Sequence, residues 1–152
     1  MHIFEILNEL ADSPERFELV SQDDDVWEVS ADSLGLYLYF TRGLGPDSKH
    51  DQVYIEFAVN GRYDLTKGGN AIKVLSTVIA MIKSYLPKFV KKQDNYISFG
   101  ADKAEPSRVS LYKRAVPILS RILSTMDYNW KYQNAGPSSG SLETYTWTRT
   151  TQ

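Results

Sequence analysis

The stretch from Asp51 to Leu86 constrains the fold of this chain more than any other. It joins a β-prone run, Val53–Val59, to the longest helical pattern in the sequence, Ile72–Leu86, through the glycine-containing segment Asn60–Ala71. The first amides of a helix have no partners within the helix and lie at the positive end of its dipole, and glycines let a phosphate approach the backbone closely. The sequence therefore predicts a strand, a loop and a helix that could hold an anion where the helix begins.

Composition narrows the classes of function. The 152 residues have the length of one domain, 1–152, and the absence of cysteine excludes disulfides, thiolate ligands and a thiol nucleophile. Two histidines argue against a histidine metal cluster, so no metal site is expected. The net charge of −2 disfavours broad capture of nucleic acid or anionic membrane. The same net charge disfavours nucleic-acid binding through the basic residues of the second half of the chain. These are Lys88, Lys91, Lys92, Lys103, Arg108, Lys113 and Arg114.

The first residues predict a helix and a hairpin. Apolar residues at helical spacing predict a short helix at Ile3–Leu10, and Pro14 ends it. The runs Glu15–Val20 and Val26–Val29 alternate around the polar turn Ser21–Asp25 and predict a hairpin. Three adjacent aspartates in this turn lack the spaced ligands and the closing bidentate acid of calcium loops, which favours a solvated turn over a metal site.

Two further β-prone runs predict the centre of a sheet. Leu34–Thr41 and Gln52–Val59 flank a loop with glycine and proline, and should pair antiparallel. In the second run, Glu56 lies between Tyr54 and Ala58 on the face opposite the apolar one. Two interpretations of Glu56 remain open. It is either an acid on a solvent-facing side of the sheet, the commoner case, or a general base whose pKa is adjusted by partial burial.

The helix after the glycine segment should pack on this sheet, and Pro87 should end it. Its apolar positions follow the spacing of one helix face: Ala71, Val74, Leu75, Val78, Ile79, Ile82, Tyr85 and Leu86. The next β-prone run, Tyr96–Ala101, should lie parallel to Val53–Val59, because a strand–helix–strand crossover returns in the same direction.

The last third of the chain predicts a second long helix and a hairpin. The helix starts near Pro106, and Pro117 should kink or divide it. Its buried face is predicted to contain Val109, Tyr112, Val116, Leu119 and Leu123. Tyr128–Gln133 and Leu142–Arg149 flank a long loop and predict a hairpin, whose aromatic side chains either pack the core or contact a partner. The predicted fold class is α+β, a mixed and mostly antiparallel sheet with helices packed on it.

The order of the predicted elements, together with two short motifs, resembles that of the GNAT family of acyl-CoA-dependent N-acyltransferases. In that family the fourth strand leads through a Gln/Arg-x-x-Gly-x-Gly/Ala loop into a helix. Thr66–Ala71 is similar to that loop through Gly69 and Ala71, with a threonine where the family has Gln or Arg. Leu111-Tyr112 resembles the Leu-Tyr pair that the family carries after its fifth strand.

The resemblance implies a GNAT-like acyltransferase that uses acetyl-CoA or another acyl-CoA and acts on a small-molecule or protein amine. The catalytic residues it implies are Glu56, which would deprotonate the amine, and Tyr112, which would protonate the leaving thiolate. The residues it implies for binding the pyrophosphate of the cofactor are Lys67, Gly68, Gly69, Asn70 and Ala71. A structural interpretation also stays open, in which the glycines form a turn, Lys67 is solvated and Tyr112 packs in the core.

Stretches between residues 60 and 125 also resemble small phage-encoded proteins of unassigned function. They include Glu105–Val109 followed by Leu111, Tyr112 and Arg114. This resemblance leaves open a non-catalytic phage protein, either an assembly component or an inhibitor of a host factor, that uses an acyltransferase-like framework to contact a protein partner. The sequence shows no signal peptide and no membrane span, so the expected location is the cytoplasm, that of the host cell if the protein is phage-encoded, or the virion for a structural protein.

Overall fold

A seven-stranded mixed sheet forms the framework of the protein. The computed structural model describes residues 14–59, 69–102, 106–127, 129–133 and 142–149. The predicted helix at Ile3–Leu10 and most of the glycine segment lie outside these residues. The elements in chain order are β1 (Glu18–Gln22), β2 (Val26–Ala31), β3 (Leu36–Gly43), β4 (Gln52–Val59), α1 (Gly69–Phe89), β5 (Tyr96–Asp102), α2 (Pro106–Ser124), β6 (Trp130–Gln133) and β7 (Leu142–Arg149).

The strands lie in the order β1-β2-β3-β4-β5-β7-β6. Among the described strands, β4 and β5 form the one parallel pair, and the other neighbours pair antiparallel. A strand–helix–strand connection through α1 joins the parallel pair, as the crossover argument predicts. The α+β class and the mixed, mostly antiparallel sheet are therefore confirmed.

Both helices pack on the sheet and contact each other. Helix α1 contacts β2 and β3, whereas α2 contacts β5, β6 and β7. The side chains of Val74, Val78 and Ile82 are buried, which confirms the apolar face predicted for α1. They join one core cluster with alternate residues of the central strands, including Leu38 and Ile55. The residues between those on each strand point to the opposite face of the sheet.

The prediction that Pro87 ends the first long helix is wrong. Helix α1 begins at Gly69 and continues past Pro87 to Phe89. The extra residues place the Phe89 ring in the core, stacked with Phe40 at a centroid distance of 5.7 Å and edge-on to Trp27 at 5.4 Å. Burial of this aromatic ring offsets the loss of the backbone hydrogen bond that proline cannot donate near the helix end.

Pro117 does not divide the second long helix, since α2 runs without interruption from Pro106 to Ser124. Leu119 and Leu123 are buried and Val116 is half-buried, as the spacing predicts. The β6–β7 hairpin is also confirmed. The described aromatic side chains of β7 belong to the core, because Tyr145 and Trp147 are both buried. They do not form a surface for a partner.

The N-terminal hairpin and the strand after it follow the sequence pattern with shifted boundaries. One carboxylate oxygen of Asp23 accepts hydrogen bonds from the backbone N–H groups of Asp25 and Val26, at 3.0 and 2.7 Å, and so closes the β1–β2 turn. Residues Asp32–Leu34 form a 3-10 turn that ends at Gly35, whose φ of 60° lies in the left-handed region. The third strand therefore begins at Leu36 rather than at Leu34.

Candidate functional site

The candidate site is the place where the two parallel strands separate. Gln52–Ile55 of β4 pairs with Tyr96–Phe99 of β5, and among the described residues the pairing of these two strands stops there. Each strand continues with its other neighbour, β4 with β3 up to Val59 and β5 with β7 up to Asp102. Two neighbouring strands that stop pairing while both continue must diverge. We call the space between residues 56–59 and 100–102 the β4–β5 opening.

Glu56 lies at the closed end of this opening. It is the first residue of β4 after the last paired residue, Ile55, and it lies opposite Tyr39 of β3. Its side chain is exposed, on the face of the sheet that points away from the buried apolar residues. An exposed carboxylate beside the opening can contact a ligand without any rearrangement of the strand.

Helix α1 starts a short distance along the chain from the open end of β4. Nine residues, 60–68, separate Val59 from Gly69, the first residue of the helix. The candidates Lys67 and Gly68 lie among these nine and are outside the described residues. Gly69, Asn70 and Ala71 form the first turn of α1, and the description of this turn covers the backbone alone. Amides in the first turn of a helix lack partners within the helix and favour an anion.

Tyr112 lies in the first half of α2, the helix that follows β5 and contacts it. Its side chain is outside the described part of the chain, so its interpretation as an acid or as a core residue stays a prediction. The structure therefore places Glu56 at the opening, and Gly69–Ala71 and Tyr112 on the two helices that follow the diverging strands.

A buried polar pair that the sequence did not suggest joins β4 and β5 within their paired segment. The side-chain amide of Gln52 donates a hydrogen bond to Ser98 Oγ at 2.9 Å, and both residues are buried. This bond connects β4 to β5 within their paired segment. Ser98 lies between the apolar residues Ile97 and Phe99, which is the signal that the sequence gives of a buried polar contact. The pair stabilises the contact between the strands in the segment where they are paired.

A second group of polar residues lies at the opposite, amino-terminal ends of β4 and β5. Asp51 is buried, and its Oδ2 accepts a hydrogen bond from the Asn95 side chain at 2.7 Å. Partial burial of its ring raises the pKa of Tyr54, and the Asp51 carboxylate raises it further. Burial also raises the pKa of Tyr96, with additional contributions from Asp47 and Asp51. The group holds the 44–51 loop against the sheet at the end away from the opening.

Other candidate features lie elsewhere. A depression of about 370 Å³ is lined by Arg16, Phe17, Glu18, Ser30, Asp32 and Ser33, none of which belongs to β4 or β5. Within the described ranges, no three His, Cys, Asp or Glu side chains are grouped in a way that could hold a metal ion. None of the described helices combines the length and apolarity needed to cross a membrane.

No protein-family model matches the sequence, and the comparison with curated proteins finds no significant match. The structure by itself establishes the class, which is an α+β protein with a seven-stranded mixed sheet and two described helices.

Proposed function

We propose that the protein binds an acyl-CoA in the β4–β5 opening and transfers the acyl group to an amine, as a GNAT-like N-acyltransferase. The observation that carries the proposal is the divergence of the two parallel strands after Ile55 and Phe99. Strands that separate between continuous neighbours leave a slot in the middle of a sheet. An elongated ligand can enter such a slot and contact the backbone on both sides.

The elements that flank the opening support the same proposal. Each of the two diverging strands is followed by a helix that carries one of the GNAT-like motifs. Helix α1 follows β4 and begins at Gly69, and helix α2 follows β5 and contains Leu111 and Tyr112. The first amides of α1, with Lys67 and Gly68 before them, would bind the pyrophosphate of the cofactor. The remaining length of the cofactor would extend toward Glu56.

Each catalytic candidate has one proton-transfer role in the proposal. A bound acyl-CoA supplies an activated thioester. Glu56 would accept a proton from the attacking amine, and Tyr112 would donate its phenolic proton to the departing thiolate. An N–C bond would form and the C–S bond would break, with the amine proton ending on Glu56 and the phenolic proton on the thiol. Tyr112, left as a phenolate, would regain its proton from Glu56 through solvent, so the cycle balances without any other reactant.

Calorimetric titration with acetyl-CoA tests the proposal, together with the shift in melting temperature. A ligand at about 100 times its dissociation constant adds about 2.7 kcal/mol of stability, which is a shift of several degrees for a chain of this size. Gly69→Val should abolish binding, because a branched side chain blocks approach to the first turn of α1. Absence of heat with both acetyl-CoA and longer acyl-CoA would exclude the proposed enzyme.

Two tyrosine variants separate binding from chemistry. Tyr112→Phe should keep the affinity for acetyl-CoA and lower turnover, because it removes a proton donor and no volume. The matched control is Tyr85→Phe, since Tyr85 is a half-buried tyrosine of α1 packed edge-on to Phe17 at 6.1 Å, and turnover should not change. Equal turnover in both variants would remove Tyr112 from the mechanism.

The non-catalytic alternative has an observation of its own. The exposed aromatic side chains of the described residues lie on β3 and β4, where Tyr37 and Tyr54 are 40% and 39% exposed. A protein that acts by contact would use this surface, rather than strand β7 of the C-terminal hairpin, whose described aromatic residues are buried.

A further inference from the structure

Three tyrosines and two glutamates share the face of the sheet opposite the core. Strand register places Glu28, Tyr39 and Glu56 in one row across β2, β3 and β4. Tyr37 and Tyr54 point to the same face, on either side of that row along the strands. We call these five residues the tyrosine face. Its aromatic residues alternate with acids, whereas the buried face of the same strands is apolar apart from Arg42.

The ring of Tyr54 is already fixed in its position. Its hydroxyl donates a hydrogen bond to the backbone carbonyl of Leu44 at 2.6 Å. The edge of the ring lies against Gly43, where a Cβ atom would come within 3.3 Å of Tyr54 Cε2. Because the hydroxyl and one edge of the ring are both held, little conformational entropy is lost when a partner covers its exposed part.

The charge on this face has one sign. The described residues of β2, β3 and β4 that point to it include Glu28 and Glu56 and no lysine or arginine. Among the described residues neither glutamate has an ion pair. Neighbouring strands are about 4.8 Å apart, so the two carboxylates flank Tyr39 with about 10 Å between their backbones. A cation on this face would meet the exposed rings of Tyr37 and Tyr54 and the carboxylates of Glu28 and Glu56.

We infer that the tyrosine face binds a segment of a partner protein that carries lysine or arginine. Its size favours a polypeptide over a single small amine, because the rows of Tyr37 and Tyr54 are separated by about 13 Å along the strands, the length of four extended residues. The inference goes beyond acyl transfer, since binding of a basic segment requires neither acyl-CoA nor Tyr112. In an acyltransferase this segment would be the acceptor, because Glu56 belongs to both surfaces.

Fluorescence anisotropy with labelled deca-lysine, in the absence of acyl-CoA, tests this inference. The wild-type protein should bind deca-lysine at about 0.15 M salt and should bind deca-glutamate at least about tenfold more weakly. The double variant Glu28→Gln and Glu56→Gln should lose about tenfold or more in affinity. Tyr37→Ser should lose about threefold to tenfold, because it removes an aromatic ring and keeps the charge unchanged.

A second double variant controls for net charge. Glu15→Gln with Asp127→Asn removes the same two charges from outside the tyrosine face, and should change the affinity by less than about twofold. All four substituted acids are at least partly exposed, so both proteins should fold, which circular dichroism will check.

Several results would overturn the inference. Equal losses in the two double variants would show general charge attraction instead of a defined surface. Absence of deca-lysine binding to the wild type would exclude a basic segment as the occupant. Competition by spermine at the same molar concentration as deca-lysine would identify a small polyamine site and exclude a polypeptide. Failure of acyl-CoA binding in a separate titration would exclude the proposed acyltransferase activity and would leave the inference about a basic segment unchanged.

Discussion

Arg42 and Asp94 form a bidentate ion pair in the interior of the protein. Arg42 Nε donates to Asp94 Oδ1 at 2.7 Å, and Arg42 Nη2 donates to Asp94 Oδ2 at 2.8 Å. Arg42 Nη2 also donates to the Phe89 carbonyl and Nη1 to the Asp24 carbonyl, both at 2.7 Å, while the guanidinium lies 4.5 Å from the centre of the Phe89 ring. The pair therefore connects β3, the β1–β2 turn, the end of α1 and the loop before β5.

Replacing Arg42 by lysine should destabilise the protein strongly. The hydrogen bond to Asp94 raises the pKa of Arg42 above its ordinary value, so the guanidinium is charged at any pH at which the protein is handled. A lysine ammonium cannot make the planar set of contacts, and leaves buried acceptors unpaired. We expect a loss of about 3 kcal/mol in urea unfolding. Arg114→Lys, at an exposed position of α2, is the control and should stay within about 0.5 kcal/mol of the wild type. Equal effects would show that the buried pair contributes nothing specific.

Adding one methyl group at Gly45 should lower the free energy of unfolding more than adding it at Gly43. A Cβ atom at Gly45 would lie 2.4 Å from Asp51 Oδ1, whereas at Gly43 its nearest neighbour is an edge of the partly exposed Tyr54 ring at 3.3 Å. Because Asp51 is buried and bonded to Asn95, it cannot move aside easily. Gly45→Ala should therefore lose about 1 to 3 kcal/mol, and Gly43→Ala less than that. Thermal unfolding of the two variants measures the difference, and the reverse ranking would contradict the packing described for the loop.

A charge in the buried face of α1 should be poorly tolerated. Val78 is 3% exposed and lies in the core cluster, so Val78→Asp buries an unpaired carboxylate and should cost several kcal/mol. Ser84→Asp places the same carboxylate on the exposed side of the same helix, where the effect should be within about 0.5 kcal/mol. A Val78→Asp protein that melts within a degree or two of the wild type would show that this face is not buried in solution.

The sequence predicted the elements better than their ends and their polar contacts. Alternation and helical spacing are local, so they indicated β4, α1 and the parallel strand β5 correctly. The end of α1 was missed because Phe89 gains its stabilisation from Phe40 and Trp27, residues distant in the chain. The buried pair of Arg42 and Asp94 was missed for the same reason, since the two residues are 52 positions apart. For the site, the sequence singled out Glu56 from its place on the strand. The divergence of β4 from β5 could not be predicted, because it depends on where pairing stops.

Stability should fall at alkaline pH through Tyr54 and Tyr96. Partial burial raises the pKa of both phenols above 10.0, and neighbouring aspartates raise it further. A group whose pKa is higher in the folded state contributes its full stabilisation below the unfolded pKa of about 10, and loses it as the pH rises through the folded value. Ionisation would also remove the hydrogen bond from Tyr54 to Leu44.

Ultraviolet titration of tyrosine ionisation, combined with unfolding at several alkaline pH values, checks this expectation. The variant with both Tyr54→Phe and Tyr96→Phe should lack the late-titrating phenols, and its free energy of unfolding should fall less steeply above about pH 10. An unchanged slope in this double variant would mean that other groups cause the alkaline loss.

The most direct test of the proposed acyl-CoA site is an amide NMR titration of the wild-type protein with acetyl-CoA. If the cofactor lies between the diverging strands, the largest shift changes should occur in 56–59 of β4, in 100–102 of β5 and in the first turn of α1 from Gly69. The paired segment Gln52–Ile55 should change less. A spectrum that does not change at saturating acetyl-CoA, or changes confined to β1 and β2, would contradict the account.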